Sequence, residues 1–75
     1  MSTTETGPIT GTRDKDYNLI WFTEACLSNA LRMEIYAQDA ERDGDDELAR
    51  FFHRAQDESR KGAEQGKRLL KQRLS

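Results

Sequence analysis

Valine is absent from this 75-residue sequence, isoleucine occurs only three times, and proline occurs once, as Pro8. No proline therefore interrupts a helix after residue 8. β-Branched apolar residues favour strands, whereas alanine, leucine, glutamate, glutamine, arginine and lysine favour helices. The composition therefore predicts an all-α fold.

Residues that carry chemistry are also scarce. The single cysteine, Cys26, excludes an intrachain disulfide and a cysteine-rich metal site. The single histidine, His53, excludes His-His and Glu-x-x-His metal spacings, and it falls opposite the apolar stripe, as a surface residue would. No nucleophile–base pair or glycine-rich phosphate loop is present. We expect no enzymatic activity and no cofactor.

Long apolar runs and a large charge excess are missing too. The longest apolar run covers residues 19–22, far short of a membrane span, and residues 1–12 lack the apolar core of a signal peptide. The net charge of −2 predicts no strong attraction to nucleic acid or anionic membranes. We therefore expect a cytoplasmic protein.

Two long helices account for most of the sequence. Residues 1–11 are predicted to be a flexible tail, and residues 12–75 a helical hairpin. Helix 1 is predicted over about 13–43, starting at Thr12 or Asp14, and helix 2 over about 46–74, capped by Asp45 or Asp46. Gly44 suits the left-handed conformation that ends a helix, so the turn covers 43–46. A turn this short predicts an antiparallel hairpin.

The inner stripe of helix 2 is bulky at its ends and almost without side chains in its middle. Folding the chain about Gly44 places Gly62 near Leu27 and Gly66 near Phe22, so that large residues face small ones. Substituting leucine at either glycine should overpack the interface. The helix 2 residues predicted to pack against helix 1 are Phe51, Phe52, Gly62 and Gly66.

The apolar positions of helix 1 cover an arc of roughly 220°, more than one neighbouring helix can bury. A second copy would cover the surplus and give a four-helix bundle, so we expect a homodimer. A different protein partner or a higher oligomer is the alternative. The predicted dimer-interface residues are Trp21, Phe22, Cys26, Met33 and Tyr36.

The hairpin resembles one half-bundle of the ferritin-like superfamily, and of rubrerythrins in particular. The residues that carry the resemblance are Asn18, Leu19, Ile20, Glu24, Arg32, Tyr36, Ala37, Ala40, Glu41 and Gly44, followed by residues 47–52, Ala55 and Glu58. The resemblance implies a four-helix bundle in which each half supplies a glutamate and a Glu-x-x-His to two irons.

The metal-ligand motif of that family is not retained. Glu58 occupies the position of the second-helix glutamate, but Lys61 stands where the histidine is expected, and Cys26 falls at the first-helix glutamate position. One alternative is that Glu34 and Glu58 from two copies form a carboxylate metal site in the dimer core. The other is that Glu34 lies at a helix edge and pairs with an arginine such as Arg54 or Arg32.

The charges are distributed unevenly. Residues 39–47 contain six acidic residues and one basic residue, whereas residues 60–75 contain six basic residues and one acidic residue. Complementation of the helix dipole explains this arrangement, and weak binding of nucleic acid or of an acidic partner is an alternative. We expect a structural or protein-interaction module.

Overall fold

The computed structural model describes residues 14–74, which form two α-helices: α1 (Lys15–Arg42) and α2 (Asp46–Leu74). These bounds agree with the predicted ones to within two residues, and the described residues contain no strand. The two helices pack against each other, which confirms the all-α hairpin. The predicted tail at residues 1–11 and the alternative cap Thr12 lie outside the described residues.

Aspartates cap both helices at their N-termini. Asp14 Oδ1 accepts a hydrogen bond of 3.0 Å from the Tyr17 N–H at the start of α1. Asp45 Oδ1 accepts one of 3.1 Å from the Leu48 N–H at the start of α2. Each bond satisfies an amide that has no partner within its helix. Of the caps left open by the sequence, Asp14 and Asp45 are the ones found.

The turn after α1 closes with two backbone hydrogen bonds. The Gly44 N–H donates to the Glu41 carbonyl (3.0 Å), and the Asp45 N–H donates to the Ala40 carbonyl (2.9 Å). This pattern is the Schellman motif, and it requires a left-handed residue directly after the helix. Gly44 provides that residue with φ of 77°, so the predicted role of this glycine is confirmed.

The seam between the helices is built mainly from small side chains. Its buried residues recur at heptad-like spacing along each helix. Because most of them are alanine or glycine, the two backbones can approach closely. Among the described residues, no large side chain is fully buried. The buried residues are Thr23, Ala30, Met33, Ala37 and Ala40 of α1, and Ala49, Gln56, Ala63 and Gly66 of α2.

Both predicted glycines lie at the close approach, but their neighbours differ by one residue from the prediction. A Cβ atom on Gly62 would lie 2.9 Å from Cys26 Sγ and 3.4 Å from Phe22 Cζ, and one on Gly66 would collide with Thr23 Oγ1. Leu27 was predicted opposite Gly62, and Phe22 opposite Gly66. The difference arises because the side of α1 that carries Thr23 and Cys26 is the side that faces the two glycines of α2.

Phe51 is the predicted packing residue that the seam does not contain. Its side chain is 53% exposed, whereas Phe52 is half-buried and contacts Tyr36 with ring centroids 5.4 Å apart. Consecutive helical residues point about 100° apart, so Phe51 and Phe52 cannot both face α1. Phe51 instead packs edge-on against Phe52, at 5.5 Å between centroids.

Candidate functional site

Large apolar side chains cover much of the outside of the hairpin. Twelve of them within residues 14–74 are exposed, which is far more than scattered surface residues would give. These residues are Tyr17, Ile20, Trp21, Phe22, Leu27, Leu31, Ile35, Tyr36, Leu48, Phe51, Leu69 and Leu74. Exposed apolar surface on this scale is typical of protein interaction sites, so we take it as the candidate site.

One side of the hairpin carries apolar residues from both helices, and we call it the aromatic face: Phe22, Tyr36, Phe51, Phe52 and Leu69. Phe22 lies against Gly62, and Tyr36 lies against Phe52, so these residues share one side. Phe51 and Leu69 are 18 residues apart, which is five full turns, so they point the same way along α2. The aromatic face therefore spans the width of both helices.

The residues in the middle of the aromatic face are small. Asn29 Nδ2 donates a 2.7 Å hydrogen bond to Ser59 Oγ there, between Phe22 and Tyr36 along α1. Near the turn, Tyr36 and Phe52 line a shallow cavity of about 300 Å³ together with Leu48. The aromatic face is therefore bulky at both ends and hollow in its centre.

The opposite side carries a second apolar surface, the aliphatic stripe, which consists of Ile20, Leu27, Leu31 and Ile35. These residues belong to α1 alone, and Leu31 is 72% exposed. A groove of about 440 Å³ separates Leu27 and Leu31 from the neighbouring part of α2, where Arg60 and Glu64 line it. The aliphatic stripe is therefore one helix wide and bordered by charge.

The five predicted dimer-interface residues have different environments in the hairpin. Phe22 and Tyr36 are exposed on the aromatic face. Trp21 is also exposed, but it points about 100° away from Phe22 and packs against Tyr17, with ring centroids 5.6 Å apart. Cys26 is half-buried. Met33 is buried in the seam, so the hairpin itself already covers it.

Glu34 contacts two glutamines rather than an arginine. The buried Gln56 Nε2 donates to Glu34 Oε1 (3.0 Å) and to the Ala30 carbonyl (2.9 Å), and Gln38 Nε2 donates to Glu34 Oε2 (3.1 Å). The hydrogen bond from Gln56, assisted by the one from Gln38, holds the pKa of the Glu34 carboxyl below its usual range. This carboxylate is thus already stabilised without a metal ion.

Glu58 points away from Glu34 within one hairpin. Its side chain is 78% exposed, and its Oε2 lies 3.9 Å from Lys61 Nζ. Glu58 and Gln56 are two residues apart and point about 160° from each other, and Gln56 is the residue that contacts Glu34. The two glutamates therefore lie on different sides of the hairpin. Within residues 14–74, no group of three or more His, Cys, Asp or Glu side chains could hold a metal ion.

His53 and the two ends of the hairpin are polar. His53 is exposed, as predicted, and its Nε2 lies 3.0 Å from Glu41 Oε2. At the other end, Arg73 Nη1 lies 3.6 Å from Asp16 Oδ1. These two pairs join the start of α2 to the end of α1, and the end of α2 to the start of α1, so the helices are antiparallel.

Comparison with known proteins gives no relative: no protein-family model, no curated protein and no solved structure matches this chain. Neither helix in the described range is long and apolar enough to cross a membrane.

Proposed function

We propose that this chain is a non-enzymatic structural module that acts by self-association, with two hairpins forming a four-helix bundle. The observation that supports the proposal is a mismatch between what the hairpin buries and what it exposes. Its seam buries mostly alanine and glycine, while twelve large apolar side chains within residues 14–74 lie outside. Burial of large apolar side chains supplies most of the stability of a small domain.

A second copy is the simplest source of that burial. Each hairpin would present the same surface, and closed two-fold dimers are the commonest oligomers of identical chains. A bundle made from two hairpins is also what the ferritin-like resemblance implies. The proposed dimer has this architecture without the metal centre.

Sedimentation equilibrium of the purified protein tests the proposal. We expect a single species of twice the chain mass, 2 × 8.7 kDa, at micromolar concentration. A stable, folded monomer across the accessible concentration range would contradict it. A mass above that of the dimer would favour a higher oligomer, and a monomer that is unfolded when alone would favour a different protein partner.

Metal content distinguishes this proposal from the ferritin-like alternative. Because Glu34 and Glu58 lie on different sides of the hairpin, one two-fold interface does not collect both carboxylates. We therefore expect elemental analysis of protein purified without chelators to find less than 0.1 mol of iron, manganese or zinc per mol of chain, on the order of adventitious binding. Stoichiometric metal would contradict the account.

Two lysines in the C-terminal half of α2 already face carboxylates. Lys61 lies 3.9 Å from Glu58, and Lys67 Nζ lies 3.7 Å from Glu64 Oε2. Such pairs one helical turn apart are typical of a solvated helix surface. No observation favours nucleic-acid binding by this segment, and a gel-shift assay at low salt should show no complex.

A further inference from the structure

The dimer proposed above can be assigned a face and an orientation. We infer that the second copy lies antiparallel on the aromatic face, with the acidic turn of each hairpin beside the basic end of the other. This inference rests on the proposed homodimer. Three observations support it: the width of the aromatic face, the spacing of its bulky residues and the charges at the two ends of the hairpin.

The width of the aromatic face distinguishes it from the aliphatic stripe. A four-helix bundle requires each hairpin to contribute apolar residues from both helices. Only the aromatic face does so within residues 14–74, because the α2 side of the aliphatic stripe carries Arg60 and Glu64. Two helices about 9 Å apart and about 40 Å long present roughly 700 Å², close to the roughly 800 Å² that each partner buries in a standard interface.

The spacing of the bulky residues fits an antiparallel partner. Phe22 and Tyr36 are each seven residues from Asn29, so a two-fold axis at Asn29 would bring Phe22 of one copy over Tyr36 of the other. Phe51 and Leu69 are centred on residue 60. Ser59, directly before it, is the hydrogen-bond partner of Asn29. The bulky residues of both helices therefore place the two-fold axis at the same position along the hairpin, to within one residue.

The charges favour the same orientation. Residues 39–47, which include the turn, carry a net charge of −5 (six acidic, one basic), and residues 67–75 at the other end of the hairpin carry +4 (four basic, none acidic). At the start of α1, residues 14–16 add −1 (two acidic, one basic) and leave that end positive. A parallel dimer would bring the two acidic turns together, whereas an antiparallel dimer places opposite charges side by side.

Cysteine cross-linking tests the face and the orientation together. We would use a Cys26→Ala background that sediments in the same oligomeric state as the wild type. Single cysteines would then be placed at Asn29, Ala25, Arg32 or Ala55, and the proteins oxidised mildly. An antiparallel dimer centred on Asn29 predicts that Asn29→Cys cross-links to itself. It also predicts that Ala25→Cys cross-links to Arg32→Cys in mixed dimers, with at least tenfold more product than either variant alone. Disulfides require Cα atoms within about 7 Å, so the readout is specific.

Other patterns would overturn the inference. Cross-linking of Arg32→Cys to Ala55→Cys, without the Ala25 and Arg32 product, would mean that the copies are parallel. A dimer by sedimentation that gives none of these products would mean that another face is used. A monomer by sedimentation would instead contradict the proposed homodimer itself, so the two failures are distinguishable.

Charged substitutions provide a matched check of the face. Phe51 and Leu31 are both exposed and lie on opposite sides of the hairpin. Phe51→Glu should shift the dissociation midpoint at least tenfold toward monomer, whereas Leu31→Glu should leave it within about twofold of wild type. The reverse result would assign the interface to the aliphatic stripe and overturn the inference.

Discussion

Gly66 is a residue at which α1 and α2 approach each other closely. A Cβ there would collide with Thr23 Oγ1 and lie 3.1 Å from Thr23 Cβ. Thr23 has little freedom to move, because it is buried and its hydroxyl donates to the Leu19 carbonyl at 2.8 Å. Glycine has a low helix propensity, and the close packing that Gly66 permits offsets that loss.

Gly66→Ala should lower the free energy of unfolding by about 1–2 kcal/mol at fixed protein concentration. The alanine gains about 1 kcal/mol of helix propensity, but it overpacks the seam by about 2–3 kcal/mol, the upper part of the usual range, because Thr23 is held in place. Chemical denaturation measures the change. Gln65→Ala, on the exposed side of the same turn, is the control and should change stability by less than about 0.5 kcal/mol.

Adding Thr23→Ala to Gly66→Ala should restore part of the lost stability, because it removes the atom that the new methyl group meets. Equal or higher stability of Gly66→Ala alone would mean that the close approach is not as tight as described.

Glu34 makes stability depend on pH. Its carboxyl has a lowered pKa in the folded chain, so folding favours its ionised form. This contribution is fully present above the ordinary glutamate pKa of about 4.3, and it is lost as the pH falls through the lower folded-state value. Glu34→Gln should therefore be less stable than wild type at pH 7, and the difference should shrink below about pH 4.

Gln56→Met provides the matched test, because it removes the main donor to Glu34 and keeps the buried volume. The pKa of Glu34, followed by NMR of its side-chain carboxyl, should then rise toward its ordinary value. An unchanged pKa would mean that the Gln56 hydrogen bond does not hold this carboxylate.

At the scale of the helices, the ends could be predicted from sequence, and the facing partners only in part. Caps and the Gly44 turn depend on hydrogen bonds within a few residues, which local sequence specifies. The register of the seam depends on which side of each helix faces the other helix, and local sequence does not specify this. The nearest neighbours of Gly62 and Gly66 therefore lie one position from those predicted. Glu34 had several partners within reach, and only the packed geometry selects Gln56 over an arginine.

The stability of the hairpin depends on the glycine in the turn between α1 and α2. Gly44 has a positive φ and open space around its Cα, so a side chain there is strained by conformation rather than by contact. Gly44→Ala should destabilise the hairpin by about 1–2 kcal/mol. Gly44→Asn should cost less than half of that, because asparagine tolerates the left-handed region.

Urea denaturation would measure both Gly44 variants, with an unchanged slope showing that only stability differs. Equal losses for alanine and asparagine would contradict the explanation by left-handed conformation.

At the scale of the whole molecule, the hairpin is an object with more apolar surface than one copy can cover. The sequence showed the surplus on α1, because its apolar arc exceeds what one neighbour buries. It did not show that Met33 would be used within the hairpin, or that Phe51 would lie outside with Leu69. Adjacent aromatic residues such as Phe51 and Phe52 were the signal available, since only one of them can face the seam.

The concentration dependence of thermal unfolding tests the central claim most directly. If folding requires a second copy, mass action stabilises the folded state as protein concentration rises. We predict that the midpoint temperature increases by at least several degrees over a hundredfold increase in concentration of the wild-type chain. A cooperative transition whose midpoint is the same across that range would show that the hairpin folds alone, and it would contradict the account.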